Sequence, residues 1–183
     1  SENEWKPVDF KNITNWVWMT LDYQGGKWDL RKKNIFGTET HFDFEIEESW
    51  AKYDFLYKGE RLKGQLHLKG TIDLTLEIDE NTLEFVDYKT GSRLDWSSGD
   101  VKTYHKLHTD NQLLTYYYAG KKLYPNKEIL VSINFIRDGN IYTLCFDNET
   151  LEKSKKLFKN TFENLQECQL PILIDPTHKD FRC

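Results

Sequence analysis

The chain has 183 residues, with 25 Lys and Arg against 30 Asp and Glu, a net charge of −5, and 38% hydrophobic residues, 15% of the chain being aromatic. That length and apolar content suffice for one ordinary domain with a real core and exclude a disordered chain. No apolar run approaches the ~20 residues of a membrane span, so no membrane partner is expected. The start, SENEWKPVDF, lacks the basic-then-apolar pattern of a signal peptide, which makes a cytoplasmic protein the default. Cys145, Cys168 and Cys183 are odd in number and widely spaced, giving neither a disulfide framework nor a C-x-x-C clip. The acidic balance does not advertise nucleic-acid binding. It does not exclude a phosphodiester substrate either, because a carboxylate cluster lowers net charge while attracting cations that can meet phosphate.

The first 35 residues are an aromatic-rich extension with a helix expected within 11–23 and a turn at Gly25-Gly26. From Thr38 the three- and four-residue steps of Phe42, Ile46, Trp50, Tyr53 and Tyr57 predict a helix closed by Lys58-Gly59, with acids early in it. Residues 64–79 change to alternation, which is strand patterning, and Gly70 marks a bulge or a close backbone approach. Leu83 to Lys89 returns as the antiparallel partner. Residues 92–108 read as a loop, and Asn111 to Tyr124 as a helix with Leu113, Leu114, Tyr117 and Tyr118 inward. Leu130 to Ile136 and Ile141 to Phe146 form a hairpin about Asp138-Gly139-Asn140. Asn148 is expected to cap a last helix running to about Gln166, with Leu151, Leu157, Phe158, Phe162 and Leu165 inward. Residues 167–183 read as an irregular tail, which a longer natural chain would carry further. The fold class is mixed α/β: a single domain over 1–183, with a central mixed sheet flanked by helices.

The stretch VDYKTG at 86–91 ends a strand with an acid, an aromatic and a base. Residues two apart on a strand share a face, so Asp87 and Lys89 point one way and Tyr88 the other. If the hairpin loop centres on Glu80, Asp73 of the partner strand stands opposite Asp87; a one-residue slip moves it to the Tyr88 face. The apolar pattern alone, with Leu76 against Phe85, prefers the slip, so a bulge would be needed to bring the acids together. Two converging carboxylates repel, and a divalent cation with a liking for hard oxygen ligands, Mg²⁺ or Mn²⁺, offsets that repulsion. Lys89 beside such an ion could orient or deprotonate a water, or stabilise charge on a phosphate. Taken alone, D-x-K is more simply an edge-strand ion pair.

GTID at 70–73 followed by VDYKTG at 86–91 resembles the second and third motifs of the PD-(D/E)XK nuclease superfamily, in particular its RecB-like exonuclease branch. FGTETHFDFE at 36–45 is similar to that branch's first motif, and Gln112 to Tyr116 to its Gln-x-x-x-Tyr signature. The resemblance implies a restriction-endonuclease-like core and a metal-dependent deoxyribonuclease, an exonuclease working on single-stranded or duplex DNA ends in repair, recombination or phage DNA processing, in a bacterial or phage-infected cell. It assigns Asp73, Asp87 and Lys89 to catalysis. It assigns His41, Asp73, Asp87 and the Tyr88 backbone carbonyl to the metal, with Glu45 as a further candidate one helical turn from His41. Gln112 and Tyr116 would position DNA or the catalytic loop, with Thr90 shaping the turn after Lys89. A larger recombination or replication complex would be the partner. Two other readings stay open: a nuclease-fold module that only binds DNA or protein, and a nuclease acting on RNA. Many relatives hold an iron–sulfur cluster with four cysteines; four are not present here, so no cluster is expected.

Overall fold

The computed structural model describes residues 7–94, 99–137 and 140–167. The chain opens with α1 (Pro7–Gly26), broken near its end where Gln24 and Gly25 take φ of 51° and 70°. A single 3-10 turn, Leu30–Lys32, follows, capped by the Asp29 carboxylate. Next come β1 (Ile35–Glu45), β2 (Lys52–Tyr57), β3 (Glu60–Gln65), β4 (His67–Asp79) and β5 (Thr82–Lys89). The short α2 (Tyr104–Leu107) and the longer α3 (Asn111–Leu123) lead to β6 (Glu128–Phe135), β7 (Asn140–Cys145) and α4 (Asn148–Glu167). No described helix is long and apolar enough to cross a membrane.

Five strands form one sheet in the order β1-β4-β5-β6-β7, antiparallel except for the parallel pair β5–β6, which α3 bridges. A parallel pair needs such a crossover, and it makes β5 central. Consequently Leu83 to Asp87 are buried on both faces of the sheet. On one face Phe42, Ile72, Leu83, Phe85, Val131 and Ile133 pack with Leu113, Tyr116 and Tyr117 of α3. On the other, Leu74, Leu76 and Val86 pack with Trp28, Leu30 and Tyr88. This is the mixed α/β core that the sequence predicts.

Residues 38–57 are not a helix. Thr38, Thr40, Phe42 and Phe44 carry a period of two, β-branched and aromatic in type, and they belong to β1. The next aromatic, Trp50, lies in a 3-10 turn (Ser49–Ala51), and Tyr53, Phe55 and Tyr57 belong to β2, which with β3 makes a separate two-stranded hairpin turned by Lys58 (φ 51°) and Gly59 (φ 84°). Gly70 is a close approach: a Cβ there would stand 2.4 Å from Phe42 Cζ. Asp147, not Asn148, caps α4, accepting the Thr150 N–H at 2.8 Å. Leu165 of that helix is 66% exposed rather than inward. Asp138-Gly139 and the tail from Cys168 lie outside the described residues.

Asp29 is buried and accepts both the N–H and the guanidinium of Arg31, with Nε at 2.8 Å. The Arg31 hydrogen bond holds its carboxyl down to about 2, from the ordinary 3.8. A depressed folded pKa stabilises above the ordinary carboxylate range, and that stability drains away as pH falls towards 2. Asp29→Asn is therefore expected to lower the melting temperature at pH 7 and to change it little at pH 2, read by circular dichroism.

Candidate active site

The hairpin of β4 and β5 sets the site. Leu74 pairs with Val86, Thr75 with Phe85 and Leu76 with Glu84, which is the register centred on Glu80 and not the slipped one. Its irregularity, between Glu77 and Asp79, sits at the turn. Near Asp73 the alternation of β4 breaks: Ile72 packs under α3, whereas Leu74, two residues on, packs with Val86 in the opposite cluster. Glu39, between Thr38 opposite Leu74 and Thr40 opposite Ile72, takes a left-handed φ of 47°. Left-handed backbone at a bulky residue persists only where its surroundings hold it, and it concentrates at functional sites. At this break the Asp73 carboxylate takes over from the ladder, with Oδ2 accepting the Tyr88 N–H at 2.8 Å.

Asp87 is the centre of a buried network, 2% exposed. Its Oδ1 accepts from Gln112 Nε2 at 2.9 Å and lies 3.3 Å from the Tyr116 hydroxyl. Gln112 also donates to the Tyr116 hydroxyl at 3.1 Å and accepts from Lys89 Nζ at 2.7 Å. Residues four apart on α3 thus hold the acid and the base together, which is the reach of one helical turn. The Tyr116 hydroxyl donates to the Thr71 carbonyl at 2.9 Å, and Thr71 Oγ1 meets His41 Nδ1 at 2.7 Å. Thr71 is the hub that the sequence reading passed over, although it stands inside the quoted GTID.

Burial is the main force raising the Asp87 pKa; the Lys89 ammonium opposes it and the Asp73 charge adds to it. Burial also pushes the Tyr116 phenol up to about 12, helped by the Asp87 charge, so it remains an O–H donor at neutral pH. Tyr88, whose ring packs with the opposite cluster, is likewise raised to about 12 by burial and then by Asp73 and Glu84. Asp87 Oδ2 lies 2.9 Å from Lys89 Nζ, yet this buried oxygen makes no aligned hydrogen bond among the described residues. A buried carboxylate is costly unless a cation completes it, and the Lys89 ammonium supplies part of that charge while leaving lone pairs of Oδ2 to spare.

The remaining candidates divide. His41 reaches the network through Thr71. Glu45 lies on a strand, not a helix, so four residues place it about 13 Å along β1 from His41, where it stands 3.5 Å from His67 Nε2. Thr90 is exposed and makes no bond to the network among the described residues. Among the described residues no three His, Cys, Asp or Glu side chains gather as a ready-made metal cluster. The fit to an ion rests instead on the chemistry of two hard-oxygen donors, Asp73 and Asp87, the second with an oxygen that has only the Lys89 ammonium, at 2.9 Å, beside it.

The model of the PD-(D/E)XK nuclease superfamily matches residues 2–179. The chain belongs to this superfamily. The five-stranded mixed sheet with α3 behind β5 and β6 is its restriction-endonuclease-like core. A solved structure from Eubacterium rectale, named as a candidate exonuclease, is similar at 10% identity and a TM-score of 0.52, over 97% of this chain. That likeness shows the fold alone, and the chain spans 66% of that neighbour's length. No curated protein matches the chain.

Proposed function

We propose that this superfamily member is a metal-dependent deoxyribonuclease of the RecB-like branch, degrading DNA from its ends in repair, recombination or phage DNA processing. The observation that carries the reading is Asp87: buried, with one oxygen fixed by Gln112 and Tyr116 and the other left facing Lys89 without an aligned hydrogen bond. Asp73, Asp87 and the Tyr88 carbonyl, with His41 on the Thr71 side, would hold Mg²⁺ or Mn²⁺. When bound, the ion supplies Lewis acidity for in-line hydrolysis of a phosphodiester.

The chain's own groups do the rest. Gln112 locks one Asp87 oxygen so that the other keeps one direction, and it holds the Lys89 ammonium beside that second oxygen. Lys89, about one-third exposed, can meet a phosphate and offset the charge that builds there. Tyr116 ties the Asp87 carboxylate to the Thr71 carbonyl, keeping β4 and β5 in step where their ladder stops.

The test offers linear and circular DNA, single- and double-stranded, and the matching RNAs, with Mn²⁺ or Mg²⁺. Linear DNA should be consumed and closed circles spared. Lys89→Ala and Asp73→Ala should each lose about 10²–10³-fold in rate with unchanged circular dichroism. Cleavage that persists in both variants, or that needs no ends, overturns the assignment.

A further inference from the structure

Two clefts meet beside the network. The first, about 460 Å³, is lined by Phe42, Lys69, Thr71, Gln112 and Tyr116. The second, about 320 Å³, is walled by Ile46, Leu68, Leu157, Phe158, Phe162 and Leu165. Asn111 and Thr115 of α3 border both, so the clefts are continuous along one face of that helix. β4 runs beneath them from Thr71 in the first to His67 in the second. At ~3.3 Å per residue that is about 13 Å, a few nucleotides of a stacked strand at ~3.4 Å each.

Resting on the nuclease reading above, we propose that the second cleft receives an unstacked base of a single-stranded nucleic acid whose backbone passes through the first. Chemistry changes along this path in the sense a strand requires. The catalytic end offers Lys69, held by Asp43 at 2.8 Å, and Gln112 with Lys89 bonded behind it, while the far end offers the aromatic and aliphatic walls on which a base can stack. Its volume suits one small flat ligand and is too little for a duplex. Leu165 explains itself here: a large apolar side chain left exposed on α4 at the edge of the cleft. The Thr115 and Thr161 hydroxyls at its edge donate to the Asn111 and Leu157 carbonyls of their own helices, which leaves only their acceptor lone pairs towards a ligand. The scissile nucleotide stays at Lys89; the cleft takes one further along.

The experiment walks a single abasic residue along a fluorescent single-stranded oligothymidylate. It is run with the full chain, its Leu157→Ala/Leu165→Ala variant, and Thr161→Phe, which fills the mouth of the cleft from an exposed position. At one position the abasic residue should raise the wild-type KM about 10-fold, equivalent to one stacked base. Both variants should raise KM by a similar factor on the intact strand and lose the abasic penalty. Their kcat, and their turnover of bis(p-nitrophenyl) phosphate, should match wild type. An abasic scan that is flat in wild type, or a penalty undiminished in the variants, overturns the proposal. If no substrate turns over, the nuclease reading itself fails; the Kd of intact against abasic strands, by fluorescence anisotropy, then decides the cleft by the same criteria.

Discussion

Asp87→Asn is expected to abolish cleavage, by about 10³-fold or more, while leaving the metal-free protein at least as stable as wild type. Loss of a single group that stabilises developing charge costs 10²–10³-fold, and the group that also holds the ion should cost no less. Stability moves the other way because the native carboxylate is buried and its pKa is raised by that burial. A raised folded pKa contributes stability below the ordinary carboxylate range and loses it as pH climbs through the folded value. Asparagine, neutral throughout, has no such loss, and it keeps an oxygen for Gln112. Two melts decide it. In EDTA at pH 7 the variant should melt no lower than wild type. On adding Mn²⁺, wild type should gain several degrees and the variant little, because an ion stabilises only the state that binds it. A variant that still gains fully from Mn²⁺ would remove Asp87 from the metal site.

The second large effect falls at the seam between α3 and the sheet. Phe85 is fully buried, and Gly120 of α3 sits against it: a Cβ on Gly120 would stand 2.6 Å from Phe85 Cε2 and 2.9 Å from Ile129 Cγ2. Phe85→Ala should cost about 3–5 kcal/mol, a large share of the ~5–15 kcal/mol that holds a domain together. Gly120→Ala tests the seam from the other side. Alanine in a helix interior normally gains about 1 kcal/mol over glycine. Overpacking a closed core costs about 1–3 kcal/mol, so the net sign should be a loss. Adding Phe85→Leu should return part of it, with a coupling of about 1 kcal/mol in a double-mutant cycle, read by urea unfolding. A stabilised Gly120→Ala protein would contradict the packing described here.

The elements that the sequence announces clearly are those in which one signal acts alone. The alternation of β4, the Gln112–Tyr116 helix and the β6–β7 hairpin strands are such cases. Residues 38–57 mislead because Phe42, Ile46, Trp50 and Tyr53 are spaced like a helix face while falling in a strand, the link after it, a short 3-10 turn and a second strand. Lys58-Gly59 compounds the error, since a left-handed pair ends a helix and turns a tight hairpin equally well. The register of β4 and β5 was open for a different reason. β5 is buried on both faces, with Glu84 bonded to Ser132 and Thr143 in the interior, so its apolar phase carries no information. The spacing of Asp87 and Lys89 and the helical step from Gln112 to Tyr116 were legible. Thr71 as the joint between His41 and Tyr116 was not, because a backbone carbonyl leaves no mark in a sequence.

The β2–β3 hairpin has its roots laced together: Leu66 N–H bonds the Ala51 carbonyl at 2.8 Å, and Ile46 N–H bonds the Leu66 carbonyl at 2.9 Å. The chain therefore leaves the main sheet after β1 and re-enters it at β4 through almost the same doorway. Only the β2–β3 hairpin beyond those roots stands apart, as a two-stranded sheet of its own, while Ile46 and Ala51 at the roots are buried in the main body. A hairpin of another length could stand on the same roots without altering how His41 faces Thr71, so the number of residues between β1 and β4 does not set the register of those two strands.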